Sequence, residues 1–203
     1  MAGQKASWYY DWSPYKSSKV NDPNAQFIPM VWGAKDINPD ALKAIKESDS
    51  PMLLTFNEPD HGEQAKMSVD EALSYWDQLE ATGKKLSSPA ITNGPDGIKW
   101  LDEFMSKAKA QGKKVDSISI HWYGSGASST EQNIAALRDH INMVHEKYPD
   151  LPINLTEFGL DASGLTATLN QDFLNQAEKM LNDMSYVQMY APYGAGAKIN
   201  GNG

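Results

Sequence analysis

Met52-Leu-Leu-Thr-Phe56 is an apolar run that stops at Asn57-Glu58-Pro59-Asp60. A run of this length and composition reads as a buried strand. Pro59 has no backbone N–H to give to a ladder, so a central strand cannot continue through it. A carboxylate therefore stands where a buried strand meets the surface. Leu151-Pro-Ile-Asn-Leu-Thr-Glu157-Phe-Gly159 repeats the pattern, with a strand that ends on Glu157 and a glycine close behind. Two strands so far apart in the chain bring such ends together on one rim if the sheet is a parallel barrel.

The rest of the chain alternates strand with helix. Strands are predicted over Ser7–Trp12, Phe27–Trp32, Met52–Asn57, Leu86–Ile91, Val115–Tyr123, Ile153–Glu157 and Tyr186–Tyr190. Asn38-Pro39 opens a helix to Glu47, with proline at the first helical position. Ser68-Val-Asp-Glu71 is a capping box, which starts a helix at Val69 that runs to about Ala81. Further helices run from an Asp96 or Gly97 cap to Ala110, from Ser129 or Thr130 to Lys147, and over Leu169–Asn182. Such alternation means a parallel sheet. Pattern alone leaves an open seven-stranded sheet and an eight-stranded barrel both standing. The strand-end carboxylates favour the barrel. The 203 residues fit one α/β domain, with 194–203 a Gly- and Asn-rich flexible tail.

Composition narrows the partners. A net charge of -8 disfavours nucleic acid and anionic membranes, which need basic surface. There are no cysteines, so disulfides and thiolate metal sites are excluded. No apolar run approaches the roughly 18 residues of a membrane-spanning helix. Met1-Ala-Gly-Gln-Lys5 carries no apolar signal core, which leaves an intracellular protein or one whose leader has been removed. Six tryptophans and nine tyrosines outnumber five phenylalanines. Such amphipathic rings suit sugars, with a flat apolar face beside a polar edge.

A lone Glu58 or Glu157 reads as a strand-end residue paired with a lysine or arginine. Two at matching ends point to glycoside hydrolysis, in which one carboxyl protonates a leaving oxygen and the other attacks the sugar or activates water. Alternation along Asp116-Ser-Ile-Ser-Ile-His121-Trp-Tyr-Gly124 puts His121 and Tyr123 on one face with Ser119, opposite Ile118, Ile120 and Trp122. His121 or Tyr123 would then hold a carboxylate or a sugar hydroxyl, or serve as packing in the barrel mouth. Trp8, Tyr10, Trp12 and Trp32 are candidates for a stacking platform near strand ends, with core packing the ordinary role of any one ring; Trp12 and Trp32, each the last residue before its strand breaks, are the stronger two. Trp76 and Trp100 lie in helical patterns and read as core. His61 and Glu63 follow the Glu58 motif, but no His-x-x-x-His set exists, so neither a metal nor a cofactor is expected. His140 and His145 read as a solvated helix face. No glycine-rich phosphate loop follows a strand, and no Gly-x-Ser-x-Gly elbow is present.

Four motifs in order, Phe27-Ile-Pro-Met-Val-Trp-Gly33, Phe56-Asn-Glu-Pro-Asp60, His121-Trp-Tyr-Gly124 and Thr156-Glu-Phe-Gly159, resemble glycoside hydrolase family 128. These are small endo-β-1,3-glucanases on a (β/α)8 barrel, in a clan that uses two strand-end glutamates with retention. The resemblance spans Trp8 to Tyr190. It implies Glu58 as acid/base and Glu157 as nucleophile. It also implies substrate contacts from Asn57, Trp12, Trp32, His121, Trp122 and Tyr123. A β-glucan partner, no metal or cofactor, a monomer and a secreted protein follow as expectations. Family members carry a further strand ahead of the Trp8 strand, so the barrel is expected to be incomplete, its first strand absent or irregular. Residues 1–7, the tail or a second copy would cover the gap. Two other readings stay open: a barrel that binds glucan without cleaving it, and a relative that cuts β-1,4-linked mannan or glucan. On the leading reading, Glu58 has a raised pKa from burial and the charge of Glu157, and Glu157 accepts hydrogen bonds from His121 or Tyr123.

Overall fold

The computed structural model describes residues 8–18 and 23–193. Among them are seven strands: β1 (Trp8–Tyr9), β2 (Gln26–Phe27), β3 (Met52–Asn57), β4 (Lys85–Ala90), β5 (Ile118–Gly124), β6 (Ile153–Leu160) and β7 (Val187–Pro192). Six α-helices alternate with them: α1 (Pro39–Glu47), α2 (Val69–Ser74), α3 (Trp76–Glu80), α4 (Pro95–Ala110), α5 (Thr130–Lys147) and α6 (Ala167–Asn182). Ladders join β1 to β2, β3 to β4, β5 to β6 and β6 to β7, all parallel. Single bridges at Met30↔Leu54, Ser87↔Ser117 and Ile91↔Ile120 link these pieces, so the spatial order is the chain order.

Where the elements differ from expectation, a local cause is visible. The second strand is interrupted because Pro29 supplies no N–H; Leu54 N–H donates to Pro29 O, and pairing resumes beyond it. β1 covers only Trp8–Tyr9, and Trp12, where the predicted strand ended, adopts φ 54°, a left-handed turn. The helix predicted over Val69–Ala81 breaks at Tyr75, where the Ser74 hydroxyl donates back to Glu71 O at 2.6 Å. α4 starts at Pro95 rather than after Asp96, because proline is well suited to the first helical position. Asn38, Ser68, Ser129 and Thr166 each accept a first-turn N–H and cap α1, α2, α5 and α6. No helix is long and apolar enough to cross a membrane, among the described residues.

The sheet curls on itself with the helices outside. Ile118, Ile120, Trp122, Leu155 and Phe158 face α5 and α6, where Leu137, Ile141, Phe173 and Leu181 are fully buried. Leu53, Phe56 and Leu86 pack on Trp76, Leu79 and Phe104. Trp76 is core as expected, and Trp100 stacks on Phe104 while its indole N–H donates to Met67 O. Each fully buried Leu or Phe contributes about 1.5–3 kcal/mol. The inner side is different. Thr55, Ser87, Ser88, Ser117, Ser119 and Asn154 are buried there and bond to one another or to the backbone.

Trp8, Tyr10, Ile28, Met30, Leu54, Met189 and Ala191 form one cluster, so β1 and β7 approach each other through side chains. No ladder joins them among the described residues, and a closed eight-stranded barrel is not what the hydrogen bonds record. Residues 1–7 and 194–203, expected to cover the gap, lie outside the described residues.

The expectation that His140 and His145 form a solvated face is corrected. His145 stacks on Tyr186 with ring centroids 3.9 Å apart. His140 is half-buried, its Nε2 atom buried with no partner among the described residues, and this burial pushes its pKa down from 6.5 to about 4. A depressed histidine stays neutral in the fold while the unfolded chain takes up a proton. Stability from this group is therefore complete above about pH 6.5 and is lost as pH falls toward 4, by at most about 3 kcal/mol. Urea unfolding between pH 7.5 and 4.5 should show this fall, and His140→Met should flatten it by a similar amount. An equal slope in both proteins would rule out His140 as its source.

Candidate active site

Glu58 follows β3 and has φ 42°, a left-handed conformation that a non-glycine residue adopts only when its surroundings impose it. Three bonds do so. Glu58 N–H donates to Ala90 O at 2.7 Å, His61 N–H donates to Glu58 O at 3.0 Å, and Ala65 N–H donates to Asn57 O at 3.1 Å. The side chain is thereby turned over the open end of the curled sheet, 13% exposed.

Glu157 reaches the same place by another device. β6 runs three residues past it, to Leu160, instead of ending there. Strict alternation would put Glu157 on the face of Leu155, toward the helices. The ladder to β5 steps from Ile120↔Leu155 to His121↔Glu157, leaving Thr156 as an extra residue. This bulge turns Glu157 inward, opposite His121. An oxygen of Glu58, one of Glu157 and a ring nitrogen of His121 all lie within 4.8 Å of one another.

The buried Glu157 carboxylate is held by several donors. Trp12 Nε1–H donates to Oε1 at 2.8 Å and the Tyr123 hydroxyl to Oε2 at 2.7 Å. The Tyr10 hydroxyl lies 3.4 Å from Oε1 and also donates to Thr156 O at 2.8 Å. His121 Nδ1 is 3.6 Å from Oε2. Burial, with the negative charge of Glu157 next, pushes both tyrosine hydroxyls well above their ordinary pKa, so they remain donors.

His121 is buried and its Nδ1 lies 2.8 Å from Glu58 Oε1. Burial acts to raise the Glu58 pKa, but the His121 hydrogen bond and the charges of His121 and His61 outweigh it and hold the carboxyl below its usual range. The expectation of a raised pKa for Glu58 is corrected here. It counted burial and the second carboxylate and lacked the histidine placed between them.

The other predicted residues divide. Asn57 is buried beside Glu58, and its side-chain amide donates to Gln64 Oε1 at 3.1 Å. Trp32 O accepts Asn57 N–H at 2.9 Å, which places Trp32 at the rim, with the Lys35 ammonium 4.9 Å from its ring centroid. Trp12 is 37% exposed, so it presents ring surface while its N–H holds Glu157. Trp122 is not at the site: it is buried and stacks on Phe173 beneath α6, as the alternation of β5 requires. Trp8 and Tyr10, candidates for the stacking platform, are instead buried in a core cluster, Tyr10 with its hydroxyl directed at Thr156 O and Glu157. Gln64, Asn93 and Tyr193 also belong to the surroundings and carry no local sequence signal. Tyr193, 53% exposed, meets Trp12 and Tyr123 edge-on at 5.9 Å each. Gly159 permits this, since a Cβ there would lie 2.8 Å from Tyr193 O.

Glu58, His121 and Glu157 have the spacing of a three-ligand cation site. The surroundings do not suit one. Metal-bound histidines donate their second ring N–H to a partner, whereas His121 Nε2 is buried with none, and Nδ1 is engaged with Glu58. The arrangement is suited to chemistry by the carboxyls themselves: one immobile and surrounded by donors, the other paired with a proton carrier.

A strand-end carboxylate pair on a curled parallel sheet defines a glycoside hydrolase. A family model described as glycosyl hydrolase catalytic core matches residues 1–203. A subgroup I endo-β-1,3-glucanase of glycoside hydrolase family 128 from Amycolatopsis mediterranei, in complex with laminaritriose, is 39% identical, with a TM-score of 0.84 over 93% of this chain and 80% of that chain. A subgroup II endo-β-1,3-glucanase from Sorangium cellulosum is 30% identical, with a TM-score of 0.80 over 96% of this chain and 81% of that chain. The alkali-sensitive linkage protein 1 of Schizosaccharomyces pombe is 33% identical over 160 residues, 75% of this chain and 27% of that protein. The chain thus spans about a quarter of the length of that curated relative. It belongs to glycoside hydrolase family 128.

Replacing His121 with leucine removes the hydrogen bond and the larger of the two charges that lower Glu58, and leaves burial opposed only by the charge of His61. Carboxyl 13C NMR titration should place the Glu58 pKa in His121→Leu above its wild-type value. An unmoved or lower value would show that His121 does not control this carboxyl.

Proposed function

We propose that this chain is a retaining endo-β-1,3-glucanase, with Glu157 as nucleophile and Glu58 as acid/base, on a (β/α)8-type barrel. One observation carries the mechanism: oxygens of the two carboxyls lie within 4.8 Å. Retaining pairs stand about 5–5.5 Å apart, whereas inverting pairs stand about 6.5–9.5 Å apart to admit a water. The substrate comes from likeness to the Amycolatopsis enzyme, whose complex holds laminaritriose. A glucan polymer is too large to enter a cell, so the proposal includes action outside it.

In the first half-reaction Glu157 attacks the anomeric carbon while Glu58 gives its proton to the departing glycosidic oxygen. In the second, Glu58 takes a proton from water, and water displaces Glu157 from the sugar. The His121 bond favours ionised Glu58, the form needed in the second half. Sugar binding dehydrates the carboxyl and moves it the other way, toward the protonated form needed in the first. Asn57 lies beside the acid and supplies an amide for a sugar hydroxyl. Trp12 and Trp32 supply the stacking faces.

The lack of a ladder between β1 and β7 favours a second reading, a barrel that holds glucan without turning it over. Reducing-sugar release from laminarin separates the two, and a panel of β-1,4-linked mannan and glucan tests the linkage. Product NMR should show the β-anomer first. Glu157→Ala should abolish turnover of every glucan, while Glu58→Ala should retain activity on glycosides whose leaving group needs no proton. Full activity in Glu157→Ala, or α-anomer first, would overturn the assignment. Trp32→Ala should weaken laminarin binding about tenfold, the loss of one aromatic contact. Unchanged affinity would remove Trp32 from the groove.

A further inference from the structure

The turn after β4 touches the supports of both carboxylates. Its first residue, Thr92, reaches toward Glu58: Thr92 N–H donates to Asp60 Oδ1 at 3.2 Å, and the Thr92 hydroxyl donates to Asp60 Oδ2. Asp60 lies two residues past Glu58, in the turn that imposes its left-handed backbone. The next residue, Asn93, reaches toward Glu157. Its side-chain oxygen accepts Tyr123 N–H at 3.3 Å, and its side-chain NH2 donates to Tyr123 O at 3.2 Å. The amide thus completes both backbone groups of the residue whose hydroxyl holds Glu157 at 2.7 Å. Gly97, in the first turn of α4, lets the helix close over this turn, since a Cβ there would lie 2.3 Å from Thr92 O and 3.1 Å from Asp60 Oδ2.

We propose that the Thr92-Asn93 turn is a positioning element for the reaction, with Asn93 clamping the Tyr123 backbone so that Glu157 stays at attacking distance from the sugar held by Glu58. The inference rests on the reading of this site as a retaining glucanase. Tyr123 sits near the end of β5, where Ile91↔Ile120 is the last recorded bridge between β4 and β5. Beyond it the side chain of Asn93 takes the place of a strand neighbour. A shift of the Tyr123 backbone moves its hydroxyl, and misplacement of a reacting group lowers turnover more than affinity.

The test uses the full chain, with Asn93→Ala, Asn93→Asp, Tyr123→Phe and the Asn93→Ala/Tyr123→Phe double variant. On laminarin, Asn93→Ala should lower kcat about tenfold with KM within about twofold. Asn93→Asp keeps the acceptor for Tyr123 N–H and should lose less. The double variant should be no slower than Tyr123→Phe alone, because the clamp acts through the hydroxyl. The hydroxyl proton of Tyr123, held on Glu157, should give a downfield NMR resonance that Asn93→Ala loses and Asn93→Asp retains. Equal tenfold losses in both backgrounds, an effect on KM alone, or an unchanged resonance would overturn the proposal. Should Asn93→Ala fail to fold, Asn93→Ser, too short to reach both Tyr123 backbone groups, carries the same comparison and the same expected losses. If the wild-type chain cleaves no glucan, the glucanase reading fails, while the resonance still decides whether Asn93 positions Tyr123.

Discussion

Two carboxyls with oxygens within 4.8 Å cannot both be charged and dry without donors directed at them. Much of the architecture around the open end of the sheet meets that requirement. Glu157 draws on the first strand region through Tyr10 and Trp12 and on β5 through Tyr123 and His121. The Glu58 carboxyl draws on β5 through His121, while its backbone N–H donates to Ala90 O at the end of β4 and fixes where the side chain starts. Elements far apart in the chain are tied to one small volume. The bonds of Tyr10 and Trp12 cross from the start of the fold to its sixth strand, a contact that no β1–β7 ladder provides.

Conformational irregularity is concentrated where the chemistry is. Among the described residues three non-glycine residues have positive φ, and two of them, Trp12 and Glu58, contact or form the carboxylate pair. The third, Lys66, closes the loop after Glu58. The β5–β6 bulge adds another irregularity, at the other glutamate, and the β3–β4 ladder shifts register between Thr55 and Asn57, next to Glu58. An ideal barrel strand would have directed Glu157 into the helices. Departures from regular geometry thus aim both side chains, and the hydrogen bonds around Glu58 and Trp12 offset their strain.

The element order, the caps at Asn38, Ser68 and Ser129, the boundaries of β3 and the two glutamates were legible because each has a local signal: a proline stop, a capping box, an apolar run. The inward set of β5 was legible from alternation, which also turned Trp122 toward the helices and conflicts with its placement in the groove. The bulge at Thr156 was not legible, since a register shift depends on the partner strand. The lowered pKa of Glu58 was missed for the same reason: its cause is a histidine 63 residues away in the chain. Asn93 reads as an ordinary turn residue in Asn93-Gly94-Pro95, and Tyr10 as one more buried ring. Nothing local distinguishes a side chain that clamps a distant backbone from one that only starts a turn.

The Trp12 bond to Glu157 has an optical consequence. An indole whose N–H is donated to a carboxylate emits from an excited state polarised by that charge. On the proposed retaining mechanism Glu157 becomes an ester with the sugar, and the charge disappears with most of its pull on the ring. Trp12 is part-exposed, whereas Trp8, Trp76 and Trp122 are buried away from the pair, so its emission is separable from theirs by a quencher in solution. On that mechanism Trp12 is an intrinsic fluorophore bonded to the attacking carboxylate, and its emission reports in real time whether Glu157 is free or covalently loaded.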